Sequence, residues 1–139
     1  MYRELLAQCA EGFENFRMGS GASPEIIRQA EQAVGCRFPD ELRALLAELN
    51  GDSWLFFSAQ QLTERNLSAR QALGEDYDGL DRLLFFAGNG CGDHFCYRLR
   101  PDGTAEPGAI YTWLHEDNEL LLAAHSLEEL IRRYFADEI

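Results

Sequence analysis

Near residue 80 the spacing of apolar residues changes from helical to alternating, so one chain must house both helices and strands. Before that point Tyr2, Leu5, Leu6, Cys9, Phe13 and Phe16 recur at helical intervals and predict an amphipathic helix over about residues 2–17, which MGSGAS then breaks. Ser23-Pro24 offers an N-cap with a proline at the first helical position, Ile27, Ala30 and Val34 form a buried stripe, and Gly35 is the expected stop. Pro39 opens a further helix on Leu42, Leu45, Leu46 and Leu49, which Asn50-Gly51 should end. WLFFS (54–58) reads as a short buried strand, and AQQLTERNLSARQAL as a more polar helix with Leu62 and Leu73 inward.

After residue 80, LLFFA (83–87) is a short apolar strand. HFCYRLR (94–100) alternates, with Phe95, Tyr97 and Leu99 on one face and His94, Cys96 and Arg98 on the other. Asn89-Gly90 and Pro101-Asp102-Gly103 are turn signals, because their residues accept the backbone angles that tight reversals need. AIYTW (109–113) and LLLAA (120–124) extend the meander, and Ser126 with Glu129 forms a capping box before a last helix on Leu127, Leu130, Ile131 and Tyr134 or Phe135. The expectation is one α+β domain over residues 1–139: an antiparallel sheet of about four to six strands flanked by N-terminal helices and a C-terminal helix.

At 139 residues and 46% apolar, such a domain can fill its own core without metals or cross-links. Cys9, Cys36, Cys91 and Cys96 are therefore expected as free thiols. Formal charge is −12, and all 12 basic residues are arginine. An acidic surface disfavours nucleic acid, whose binding rests on counterion release by basic groups. The lack of lysine excludes Schiff-base chemistry and the phosphate-loop lysine. No apolar run is long enough for a membrane span, and the N-terminus does not resemble a signal peptide, so a cytoplasmic protein with no membrane partner is expected.

Two stretches carry candidate chemistry. In GNGCGDHFC (88–96), Cys91, Asp93, His94 and Cys96 could ligate a metal or form a thiol site only if the turn distorted strongly, because neighbours on a strand face opposite ways. A bend shaped by its glycines, with Asp93 bonding loop amides, needs fewer assumptions. His115-Glu116-Asp117 reads as a polar loop, since adjacent residues rarely face each other and no H-E-x-x-H follows. His125 is expected at an exposed helix entry, and Trp54 and Trp113, in apolar strands, are expected to pack inward. The acidic clusters Glu75-Asp76-Asp78-Asp81 and Glu116-Asp117-Glu119 could be solvated faces or a surface for a basic protein.

FPDELRALLAELNG, LLFFAGNGCGDHFCYRL and IYTWLHEDNELLLAAHSLEELIRRYF, in that order across about residues 23–135, resemble the SUKH superfamily. The first helix, within residues 1–22, precedes the region of resemblance, and Cys91 and His94 are not part of its pattern. Matching positions are Pro39, Asn50, Gly51, Gly92, Asp93, Trp113, His115 and Glu116. The resemblance implies a non-enzymatic protein-binding module without cofactor. Many members are immunity proteins against bacterial toxins, often nucleases, and one is a fungal regulator of cell-wall synthesis. The partner implied is a basic toxin domain, with Asp76, Asp78, Asp93, His94, His115, Glu116, Asp117 and Glu119 as candidate contacts. A regulatory domain of the same fold and, less favoured, a metal or thiol site at residues 91–96 are the alternatives.

Overall fold

In the computed structural model, which describes residues 1–74 and 76–139, helices come first and strands second. The order is α1 (Tyr2–Cys9), α2 (Pro24–Val34), α3 (Asp40–Glu48), α4 (Ala59–Ala72), a 3-10 turn (Leu80–Arg82), β1 (Leu83–Gly88), β2 (His94–Arg98), β3 (Ile110–Leu114), β4 (Glu119–Ala124) and α5 (Leu127–Phe135). Glu75, one of the acids singled out above, lies outside the described residues. The sheet is an antiparallel meander of four strands in the order β1-β2-β3-β4, so the α+β expectation is met at the lower end of its strand count.

Local chemistry sets the helix ends. Ser23 Oγ accepts from the Ile26 amide, Pro24 occupies the first turn, and Gly35 closes α2 at φ +83°. Ser58 and Gln61 form a reciprocal capping box on α4. On α5 the box is half-formed: Ser126 Oγ accepts from the Glu129 amide, while Glu129 accepts from the His125 amide instead of from Ser126.

Two expected elements differ. α1 ends at Cys9, because Gly12 and Asn15 take positive φ and turn the chain; Phe13 and Phe16 still pack, edge-on, against Phe135. WLFFS is not a strand. The Asp52 carboxylate accepts from the amides of Trp54, Leu55 and Phe56, donors that a ladder would need, and the segment curls around it. Burial pushes the Asp52 carboxyl above its ordinary pKa, and those three hydrogen bonds offset only part of that rise.

β1 is buried on both faces. Leu84 and Phe86 join the main core with residues of α1, α2, α3 and α5, while Leu83 and Phe85 join a second cluster with Leu80, Cys96 and Trp113. α4 passes from one to the other along the β1 edge: Leu62 sits in the main core, and Ala69 and the following Leu73 pack on the second. Between them Asn66, 1% exposed, donates to Phe85 O at 2.8 Å and to Leu62 O at 2.7 Å and accepts from Phe85 N at 2.9 Å. One amide side chain thereby replaces a missing neighbouring strand.

Asn66→Ala leaves the Phe85 N–H and C=O buried without partners. The unfolding free energy is expected to fall by about 3 kcal/mol. Urea denaturation should show a lower midpoint with an unchanged slope.

Candidate partner-binding surface

The turn between β1 and β2 is wider than a two-residue hairpin. Gly90 and Gly92 take φ +79° and +97° while Asn89 does not, and the Asn89 side chain instead accepts from the Cys91 amide at 2.9 Å. Gly92 backs onto His115, where a Cβ would lie 3.0 Å from the imidazole. Asp93 does not chiefly hold the amides of its own loop. Its Oδ1 accepts from the His115 amide at 3.1 Å and stands 2.6 Å from His115 Nδ1, while Oδ2 accepts from Asn89 Nδ2 at 3.4 Å. The carboxylate thus clamps the β1–β2 turn to the turn after β3. Burial raises the Asp93 pKa, but the hydrogen bonds from the His115 ring, the His115 amide and Asn89 outweigh it and hold the group below its ordinary value.

A second set of bonds draws the segment after α4 to the same turn. Tyr77 donates its hydroxyl to His115 O at 2.5 Å and sets its ring edge-on to Trp113, with centroids 5.8 Å apart. Asn118, at φ +54°, donates to Asp78 O at 3.1 Å and accepts from Trp113 Nε1 at 2.8 Å. Asp76 and Asp78 are consequently carried to the end of the sheet that bears Glu116, Asp117 and Glu119, and all five side chains are exposed. Asp76 and Asp78 thereby share one end of the sheet with acids some forty residues away in sequence.

The other candidates occupy different surroundings. The His94 ring packs against Phe85, Phe57 and Trp113, with centroids 4.9, 5.6 and 5.8 Å away, and burial lowers its pKa. With Asp52, Trp54 and Arg65 it lines a cleft of about 280 Å³ under the glycine turn. Trp113 is 2% exposed, as expected. Trp54 corrects the expectation: it is 42% exposed, donates to Glu14 O at 3.2 Å and lies against Phe13, because the curl around Asp52 turns it outward. Pro39 precedes α3. Asn50 Oδ1 accepts from the Ala59 amide, and Gly51 takes φ +87° where a Cβ would lie 2.6 Å from Ser58 N, so this pair steers the chain into α4 more than it ends α3, whose last cap, Leu49, is extended. His125 is exposed beside Glu129.

The four proposed metal or thiol ligands do not converge. Cys91 is exposed, Cys96 is wholly buried in the second cluster with its thiol pKa pushed up by burial, and Asp93 is committed to His115. Among the described residues no group of three or more His, Cys, Asp or Glu could hold a metal ion. A groove of about 420 Å³ lies elsewhere, beside Pro39, and its Tyr97 hydroxyl is already bonded to Glu41 at 2.7 Å. Sequence reasoning missed Leu121 and Leu122 on β4, 52% and 53% exposed. The available signal was three successive leucines in a strand, where alternation must turn at least one away from any single core.

Helices covering an antiparallel meander, with exposed acids gathered at one end of the sheet, define the class: a small single-domain α+β protein. The chain belongs to the SMI1/KNR4 family (SUKH-1), whose model matches residues 21–133. No curated relative matches the sequence.

Asp93→Asn keeps an acceptor but loses the charge, and is expected to lower stability at pH 5 by about 1 kcal/mol. Because the folded pKa of Asp93 is depressed, the wild-type advantage is complete above the ordinary carboxylate range and disappears as pH falls through the folded value. Denaturation midpoints of the two proteins should therefore differ at pH 5, and the gap should narrow as pH is lowered below the ordinary carboxylate value.

Proposed function

We propose that this protein is a non-enzymatic protein-binding module that neutralises a basic bacterial toxin domain, of nuclease type, by covering its cationic substrate groove. The observation that carries the reading is the gathering of Asp76, Asp78, Glu116, Asp117 and Glu119 at one end of the sheet, braced by the Tyr77–His115 and Asn118–Asp78 hydrogen bonds. A family of immunity and regulatory proteins and a formal charge of −12 support it. A fixed array of carboxylates suits a nuclease, whose groove is built to attract polyphosphate, and opposite potentials accelerate encounter and orient the pair. No bond is made or broken; inhibition comes from occupancy.

The purified protein is expected to bind the product of a toxin gene adjacent to its own with a micromolar or tighter Kd, and absence of binding there would sink the reading. The double variant Glu116→Arg with Asp117→Arg, both at exposed sites, should slow association at least tenfold at low salt and flatten its salt dependence, with thermal stability nearly unchanged. Stopped-flow association measured at two salt concentrations checks this.

A further inference from the structure

The sheet has one closed edge and one open edge. Along β1, Asn66 takes both backbone groups of Phe85, Phe57 N donates to Phe86 O, Gly88 N donates to Leu55 O, and Arg70 Nη2 donates to Leu83 O. Along β4, Arg133 donates to Ala123 O, and among the described residues no hydrogen bond from outside the sheet reaches Glu119–Leu122. Natural sheets protect such edges with lysine, proline or inward charge. β4 has neither proline nor any basic residue, and its irregularity lies at the far end, opposite the Ile110–Tyr111 step.

Leu121 and Leu122 pair with Thr112 and Tyr111, so one points to each face of the sheet, and both are half-exposed. An extended chain laid along this edge would complete the ladder and cover both leucines. The charge selects the occupant. A second copy would bring another −12, whereas Glu119 at the start of the strand and Glu116 and Asp117 in the turn before it match arginine or lysine side chains.

Resting on the protein-binding reading above, we propose that β4 is a docking edge on which an extended basic segment of the partner protein adds as a fifth strand. Apolar side chains of that segment cover Leu121 and Leu122, and its basic side chains face Glu116, Asp117 and Glu119. Backbone hydrogen bonds supply affinity and the alternating side chains supply selectivity.

The test uses the full chain and a fluorescent seven-residue peptide of three arginines followed by four valines, so that valine side chains leave the strand toward both faces. Saturable binding is expected, with slowed amide exchange at Leu120–Leu122. Methylating alternate peptide nitrogens, which leaves charge intact, should weaken binding at least tenfold in one of the two registers. The variant Leu121→Thr with Leu122→Thr, which keeps strand-forming residues at exposed positions, should weaken it to a similar degree. Equal binding by both methylated peptides, or protection appearing elsewhere, overturns the proposal in favour of charge attraction alone. Concentration-dependent dimers abolished by Leu121→Lys overturn it in favour of a second copy. With the adjacent toxin-gene product as ligand, wild type and the double threonine variant binding equally would overturn the docking edge and leave the protein-binding reading standing. Failure of that product to bind wild type, with the peptide still adding to β4, would do the reverse.

Discussion

The burial of β1 on both faces is the constraint from which the far side of the molecule follows. Its run of Leu83, Leu84, Phe85 and Phe86 cannot be served by one layer of helices, because successive side chains leave the strand in opposite directions. Leaving Leu83 and Phe85 in water would forgo about 3–6 kcal/mol, a large share of the net stability of a domain this size. A second cover is therefore required, and the end of α4 with the segment through Leu80 provides it through Ala69, Leu73, Tyr77 and Leu80. That cover carries Asp76 and Asp78, and its anchor Tyr77 reaches the turn after β3. The acidic end of the sheet is thus a consequence of covering its second face.

Much of this architecture is legible in the amino-acid sequence. Caps at Ser23, Gly35 and Ser126, the periodic leucines of α3 and the alternation of β2 are statements about residues within a few positions of one another, and the structure agrees with them. The differences have two physical causes: side-chain and backbone choices that override a local pattern, and partners distant in sequence. Phe13 and Phe16 satisfied the helical period, yet Gly12 bends the chain and Phe135 receives both rings. WLFFS carried strand-forming residues, yet Asp52 captured three of its amides. The glycine-rich turn bends as its residues imply, whereas the destination of its aspartate, 22 residues away at His115, leaves no local trace. Joining the acidic clusters needed Tyr77 and Asn118 to find partners 38 and 40 residues away.

Rigidity at the acidic end matters for what that surface can do. Five exposed carboxylates on loose loops would have to be ordered on binding, at an entropic cost for each side chain and for the backbone beneath. Here the backbone is already held. Asp93 locks one turn to the next, Asn118 fixes the second turn to Asp78, and Trp113 anchors Asn118 from the core. The repulsion among the carboxylates is sustained by bonds that do not involve the carboxylates themselves, apart from Asp93, which faces inward.

The two sheet edges show how the same chain treats similar hazards differently. At β1 a buried asparagine, an arginine and a neighbouring loop consume the exposed backbone, since that edge lies within the packed body and water cannot reach it. At β4 water can solvate the free groups, so closure is not needed for folding. What the open edge does need is protection from pairing with itself, and lysine, the usual guard, is absent from the whole chain. Net charge is the remaining candidate for that protection: two copies would approach with −12 against −12, whereas a cationic strand would meet no such repulsion. On the docking-edge proposal, one charge distribution would disfavour self-pairing and favour a cationic strand, without a dedicated residue for either task.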